Sequence, residues 1–404
     1  MVLQIAWRNI WRSKIRSFVV MGAIIIGIWS ILFIVAFTSS MVGGYIKNAI
    51  QNETSHIQLH HPDFVEDQDI QFLIEQPDAK LANIQANEAV KAATLRTNIN
   101  GMLNSARGAR GVNIRGVIPD QEAAVTNLPS KIIEGSYFRA GKKNEILISQ
   151  ILIEKLKLKL RKKVVLQFQD LNGNITSGAF RIVGIFKTGN TLFDESKVMV
   201  HRKDLNRLMG QENSAHEIAV YLKDTETLLH SEAQLKKAFP ALLVENYRVL
   251  SPDVLLYESQ IDISATIFTF IFMLALIFGI INTMLMAVLE RNKELGMLMA
   301  VGMNKGKIFL MIVLESLFLG LVATPIGLFL GWLTINYFGK VGIDLTAFAA
   351  GIEKFGMATI IYPNLTSPYY ISLAISVFIT ALLAALYPAL KAIQLKPIEA
   401  IHKI

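Results

Sequence analysis

Residues 263–289 read ISATIFTFIFMLALIFGIINTMLMAVL, and residues 290–309 read ERNKELGMLMAVGMNKGKIF. The first stretch carries no charge and exceeds the roughly 20 apolar residues that take a helix across a ~30 Å hydrocarbon core. The second is too charged to enter a membrane and too short to be a domain. Together they predict a chain that crosses a bilayer and turns back on a short amphipathic link.

Working outward, three further runs have the same character: 17–46, 308–337 (broken only by Glu315) and 369–390. The 404 residues are 52% hydrophobic and 18% charged, more apolar than soluble domains sustain. Four transmembrane helices are therefore expected, at 17–46, 263–289, 308–337 and 369–390. Arg8, Arg12, Lys14 and Arg16 precede the first run without an acid. Arg291, Lys293, Lys305 and Lys307 lie in the 290–307 link, and Lys391, Lys396 and Lys403 in the tail. The positive-inside rule places both termini and the link in the cytoplasm, with 47–262 and the 338–368 loop outside. The cytoplasmic pieces hold 11 basic residues against three acids, and 47–262 holds 27 against 26. The net charge of +8 thus follows from topology. No basic face is gathered as nucleic acid requires, so that partner is excluded.

Residues 1–16 read as a cytoplasmic interfacial helix. Trp7 and Trp11 lie four apart, as do Arg8 and Arg12, which suits indoles at the headgroup level and guanidiniums toward phosphates. The first apolar run is about twice the core of a signal peptide and is expected to remain. With no cysteine, the chain has neither a disulfide framework nor a thiol for lipid attachment. The outer segment 47–262 mixes strand-like and helical stretches. HIQLHH (56–61) alternates as a strand does, and 223–239 has the two faces of an amphipathic helix. Residues 116–203 turn β-rich, with LNGN supplying turn chemistry, which suggests a β-insert in an α/β domain. Ser251, Pro252 and Asp253 mark a helix start. From there to Glu290 a helix at about 1.5 Å per residue runs ~57 Å, long enough to project beyond the bilayer as a stalk.

Chemistry-bearing motifs are missing. HExxH, GxSxG and clustered carboxylates at ligand spacing do not occur, and GMNKGKI lacks the spacing and the hydroxyl of a phosphate-binding loop. His56, His60 and His61 read as ordinary strand residues, so no catalytic or metal site is expected. The 290–307 link is instead read as a helix that docks in a groove on another protein. Leu295, Met297, Leu298 and Val301 would supply its apolar surface, with Glu290, Arg291 and Glu294 orienting it. Glu315, with Ser316 beside it, is the one acid well inside a span and is expected to face the bundle interior as a packing and coupling residue. Ala381, Ala384 and Ala385 suit close helix packing.

ERNKELGMLMAVGMNKGKIFLMIVLES (290–316) resembles the signature of FtsX-type permeases, including Gly296, Ala300 and Gly302, and YPALKAIQLKPIEAI (387–401) resembles their closing motif. IAWRNIWRSKIRS (5–17) is similar to their opening, and EGSYF, NEILIS, FRIVGIFKTG and IAVYLKD are similar to MacB-type periplasmic core domains. One position departs: in LKLRKKV, Arg161 stands where the family usually has glycine. The resemblance is to FtsX/MacB-type ABC transporter permeases, most of all the lipoprotein-releasing LolC/LolE-like branch. It implies an α-helical membrane protein with four transmembrane helices plus a large α/β periplasmic domain containing a β-rich insert. It also implies residence in a bacterial inner membrane and a second permease subunit, identical or a sister chain. Two copies of a separate ATPase would hold the ATP and Mg, leaving this chain without a cofactor and not itself an enzyme. The expected function is lipoprotein extraction toward a periplasmic carrier, with efflux of drugs, peptides or other amphiphiles, or control of a cell-wall hydrolase, as alternatives.

Overall fold

The computed structural model describes residues 2–352 and 357–394. Most of the expected 391–404 tail, with Lys396, Glu399 and Lys403, lies outside the described residues. These residues form two compact units, one of 2–41, 259–344 and 360–394, the other of 42–258 and most of 345–359.

In the first unit, α1 is Val2–Arg12, α2 Lys14–Ala49, α3 Pro252–Glu290, α4 Asn292–Ala300, α5 Lys305–Val341 and α6 Ser367–Ile393. Four of them, α2, α3, α5 and α6, are long and apolar enough to cross a membrane. The expected interfacial segment 1–16 is interrupted at Ser13, after which α2 begins, and the Ser17 hydroxyl donates to the Ile10 carbonyl at 2.6 Å. In hydrocarbon, helices associate through close packing rather than hydrophobic burial, so small residues mark the contacts. Gly327 and Gly331 of α5 lie one turn apart against α2: a Cβ at Gly327 would stand 3.0 Å from Ile28 Cβ, and one at Gly331 3.2 Å from Leu32 Cβ. Trp29 Nε1 reaches Thr334 Oγ1 at 3.0 Å across the same contact. Between α5 and α6, the Ser316 hydroxyl donates to the Ala381 carbonyl at 3.2 Å, and Ala381, Ala384 and Ala385 are fully buried. By contrast α3 is the least covered of the four, with Phe270, Ile271 and Phe278 exposed.

The second unit is built on ten strands: β1 Ile57–His60, β2 Val90–Ser105, β3 Gly108–Val117, β4 Ile132–Gly135, β5 Glu145–Ser149, β6 Lys163–Gln169, β7 Ile175–Phe186, β8 Lys197–His201, β9 Glu217–Leu222 and β10 Leu243–Asn246. Their order is β10-β1-β9-β2-β3-β8-β5-β7-β4, with β6 pairing β2 and β7. Strand β2 joins two halves. Residues up to Arg96 pair with β9, and those from Thr97 pair with β3. The β-rich part therefore begins at about residue 97 and not at 116. The missed hairpin 97–117 is polar on both faces toward its tip, where residues 108–111 are all exposed, so period-two hydrophobicity had little to register. The 338–368 loop is corrected as well. Its residues 343–344 and 360–361 form a small antiparallel pair, and the described residues of 345–359 belong with the second unit. Arg161 adopts φ 66°, in the left-handed region that favours glycine, with its N–H on the Ile182 carbonyl at 2.9 Å. The departure noted in LKLRKKV thus sits at a position where the backbone asks for glycine.

All four residues of β1 are buried, because β9 and β10 flank it and both faces are covered. His60 Nδ1 contacts the His216 carbonyl at 3.1 Å and Nε2 the Gln58 Oε1 at 3.0 Å. Among the described residues no group of three or more ligand-type side chains converges for a metal. The polar centre of this unit is Arg96, fully buried. It makes a two-pronged contact with Glu122 (3.0 and 2.8 Å), bonds Glu217 at 2.7 Å and reaches the Glu53 carbonyl at 3.1 Å. Burial alone would raise the Glu217 carboxyl, but Arg96 and Arg115 hold it down at about 2.

Two outcomes follow. Gly327→Leu is expected to overpack the α2–α5 contact and cost about 1–3 kcal/mol in thermal unfolding of the detergent-solubilised chain. Gly22→Leu, where a Cβ meets nothing within 4 Å, should be close to neutral, and equal effects would contradict the packing. Because the Glu217 carboxyl is depressed, its stabilisation is complete above the unfolded value near 4.5 and is lost as pH falls toward about 2. Hydrogen exchange of β2 and β9 amides should accelerate over that window, less steeply in Glu217→Gln. Parallel profiles in the two proteins would count against it.

Candidate coupling site around the 290–304 link

The link folds as one short helix with a defined exit. Met303 N–H bonds the Leu298 carbonyl at 2.9 Å and Gly302 N–H the Met299 carbonyl at 3.1 Å, closing α4 in a Schellman turn. Gly302 carries the positive φ of 101° that this turn needs. Asn304 then caps α5, its side chain accepting from Gly306 N–H at 3.1 Å. The glycines and asparagine of GMNKG are thus turn chemistry. They separate two helices within four residues.

Glu315 lies 6% exposed on α5, nearly three turns from its start. Arg291 Nη1 donates to it at 3.1 Å, and Asn9 of α1 donates to the same Oε1. Arg291 Nε also reaches Glu294 at 3.2 Å, and Glu294 pairs with Arg12, whose Nη1 stands 3.0 Å from Oε2. A further pair joins Arg16 of α2 to Glu290 at 2.8 Å. The hydrogen bond from Arg12, followed by that from Arg291, holds the Glu294 carboxyl below its ordinary value against partial burial. The acids and arginines therefore fasten the link to α1, α2 and α5.

Glu290, Arg291 and Glu294 are the residues expected to orient the link. Each is engaged within the chain. Leu295, expected on the link's apolar surface, is instead 2% exposed in the bundle core, and Gly296 is buried beside it. The exposed side of the link is narrower, formed by Met297, Ala300 and Val301, with Leu298 half-buried and Gly302 at the exit. Trp7 is half-turned to solvent and packs edge-on against Phe318 of α5 at 5.5 Å and against Trp11 at 6.0 Å. Arg8 is exposed, as an interfacial arginine should be, while Arg12 serves Glu294. Ser316 turns to α6. Sequence reasoning missed Asn9 and Arg16. Asn9 left one signal, a polar residue one turn from Ile5 and Ala6 on the buried face of α1.

Residues 17–238 match the family model of the MacB-like periplasmic core domain, more than half of the chain, and residues 266–397 match that of the FtsX-like permease C-terminal region. The chain belongs to the FtsX/MacB family of ABC transporter permeases. An uncharacterized ABC transporter permease of Methanocaldococcus jannaschii is 28% identical over 55% of this chain and 55% of its own length. The lipoprotein-releasing system transmembrane protein LolC of Neisseria meningitidis is 23% identical over 97% of this chain and 95% of that protein. The macrolide export ATP-binding/permease protein MacB of Escherichia coli K12 is 25% identical over 99% of this chain and 60% of that protein. The chain thus spans about half the length of the first of these permeases and somewhat more of MacB.

In an FtsX/MacB permease so arranged, Glu315 without Arg291 would be a carboxylate in hydrocarbon, and Arg291 without Glu315 an unmatched cation. Glu315→Leu is expected to destabilise the solubilised chain by roughly 3 kcal/mol, and the double variant Arg291→Met/Glu315→Leu to recover most of it. A single variant as stable as the parent in thermal unfolding would refute the pairing.

Proposed function

We propose that this chain is the membrane subunit of an ABC transporter in which two copies of a separate ATPase, holding ATP and Mg, drive a conformational change in the 42–258 domain. The observation that carries this reading is the two-sided character of α4. Ion pairs and Leu295 fix one side to the bundle, while Met297 and Val301 stand 58% and 84% exposed on the other. A short helix that is rigidly mounted and apolar on its free side suits a groove on a partner, and methionine adapts to such a groove. Because α4 joins α3 to α5 directly, displacement of α4 acts on both. α2 and α3 continue without a break into the residues of the second unit, which gives that displacement a mechanical route.

The cargo supported best is a lipoprotein taken from the outer leaflet of the inner membrane, with a second permease subunit completing the path and a periplasmic carrier receiving the product. The match to LolC along nearly all of that protein favours this. MacB-like export of a drug, peptide or other amphiphile is the second reading, favoured by the match of residues 17–238 to the MacB-like core.

Glu294→Lys and Val301→Asp are expected to abolish cargo-stimulated ATPase activity of the assembled complex while the permease dimer still forms. The check is ATP turnover in nanodiscs alongside size-exclusion chromatography. Ordinary turnover in both variants would dispose of the α4 reading. Mass spectrometry of material co-purified with the native complex separates the cargo readings, since acylated protein is expected under the first.

A further inference from the structure

At the end of the bundle opposite the 290–304 link, the last turns of α5, the 362–365 segment and the first turns of α6 enclose a recess of about 640 Å³. Among the described residues Lys340 is the one charged residue in its lining, and Asn336, Asn364, Tyr362 and Tyr370 surround it. The side chains of Lys340, Asn336, Tyr362 and Tyr370 have no hydrogen-bond or ion-pair partner among the described residues. Apart from Ser367 the remaining wall is apolar, with Trp332 half exposed on α5 below Ile335, and Ile371 on α6. Trp332 precedes Lys340 by about 12 Å of helix. Indole and tyrosine beside a lysine at the end of a spanning helix is the composition of a membrane–water boundary.

We propose that this recess holds one anionic phospholipid, its phosphate at Lys340 and its acyl chain passing Trp332 toward the hydrocarbon. The charge argument is direct. A single cation with amide and phenol donors, and no acid among the described lining residues, complements a phosphate monoanion, and a zwitterionic headgroup would bring an ammonium with no carboxylate there to balance it. The shape argument agrees, since the apolar wall continues along α5 and α6 from the polar end. The site lies apart from the link, and binding requires only that the chain spans a bilayer. Its assignment to the outward leaflet rests on the orientation used in the proposed function.

The test uses the full chain in nanodiscs of phosphatidylglycerol and phosphatidylcholine in equal parts, followed by stepwise delipidation and native mass spectrometry. One phosphatidylglycerol per chain should persist after phosphatidylcholine is lost. Lys340→Ala should lower its retention about fivefold, the effect of one basic residue at a lipid surface, and Lys340→Arg should keep it. Trp332→Ser should weaken retention of the lipid without affecting binding of inorganic phosphate. Equal retention of both lipids, no effect of Lys340→Ala, or full displacement by millimolar inorganic phosphate would overturn the proposal. The chain has no cysteine, so Asn336→Cys reports the side of the membrane through an impermeant maleimide. Labelling from the outside supports the leaflet assignment. Labelling from the cytoplasm overturns the orientation while leaving the lipid site to be judged by the retention data alone.

Discussion

A carboxylate inside hydrocarbon must be matched by a donor, and Glu315 sets the geometry of the whole link end of the bundle by that requirement. Its donors come from two directions, Arg291 at the start of the link and Asn9 on α1. Meeting Glu315 turns Arg291 inward, which leaves its Nε to hold Glu294, and Glu294 in turn gathers Arg12. With those three anchors made, α4 has little rotational freedom. Leu295 falls into the core, and Met297 and Val301 fall outside it. The free apolar side of the link is thus a consequence of where one acid had to be neutralised nearly three turns into α5.

The same reasoning governs the second unit, in a different solvent. Arg96 sits where the two halves of β2 meet, and its guanidinium makes four hydrogen bonds, two to Glu122, one to Glu217 and one to the Glu53 carbonyl. A buried ion cluster of this kind adds little net stability compared with an apolar core, but removing one partner strands the others. It therefore specifies one relation between β2, β9 and the 119–125 helix more than it strengthens the domain.

Much of this was legible beforehand, for a physical reason. A spanning helix must satisfy its backbone internally and present apolar side chains over some twenty residues, so its mark on sequence is long and redundant. The helix start at Ser251–Pro252 and the alanines of α6 were readable on similarly local grounds. The partners of Glu290, Arg291 and Glu294 were not. The Arg12–Glu294 and Arg16–Glu290 pairs join residues nearly 300 positions apart and leave no periodic trace, and an acid on an amphipathic link looks the same whether it faces a partner or its own chain. The Gly327–Gly331 pair against α2 was visible as a spacing, yet glycines inside a span carry no indication of which neighbour approaches. The hairpin 97–117 escaped because its tip, residues 106–111, is alanine, arginine and glycine and exposed throughout, which interrupts any alternating apolar pattern.

The bundle resists force unevenly, and this decides how a push on α4 would be spent. α5 is locked to α2 through Gly327, Gly331 and the Trp29–Thr334 bond, and to α6 through Ser316 and Ala381. α3 has far less cover. One close approach it makes to α2 sets Phe272 over Gly27, a contact a ring can slide across. Elements with few buried contacts move at lower free-energy cost than those at the packed centre. Displacement delivered at α4 would therefore appear mainly as motion of α3 against a stationary α2–α5–α6 core. α3 itself runs as one unbroken helix from Pro252 to Glu290.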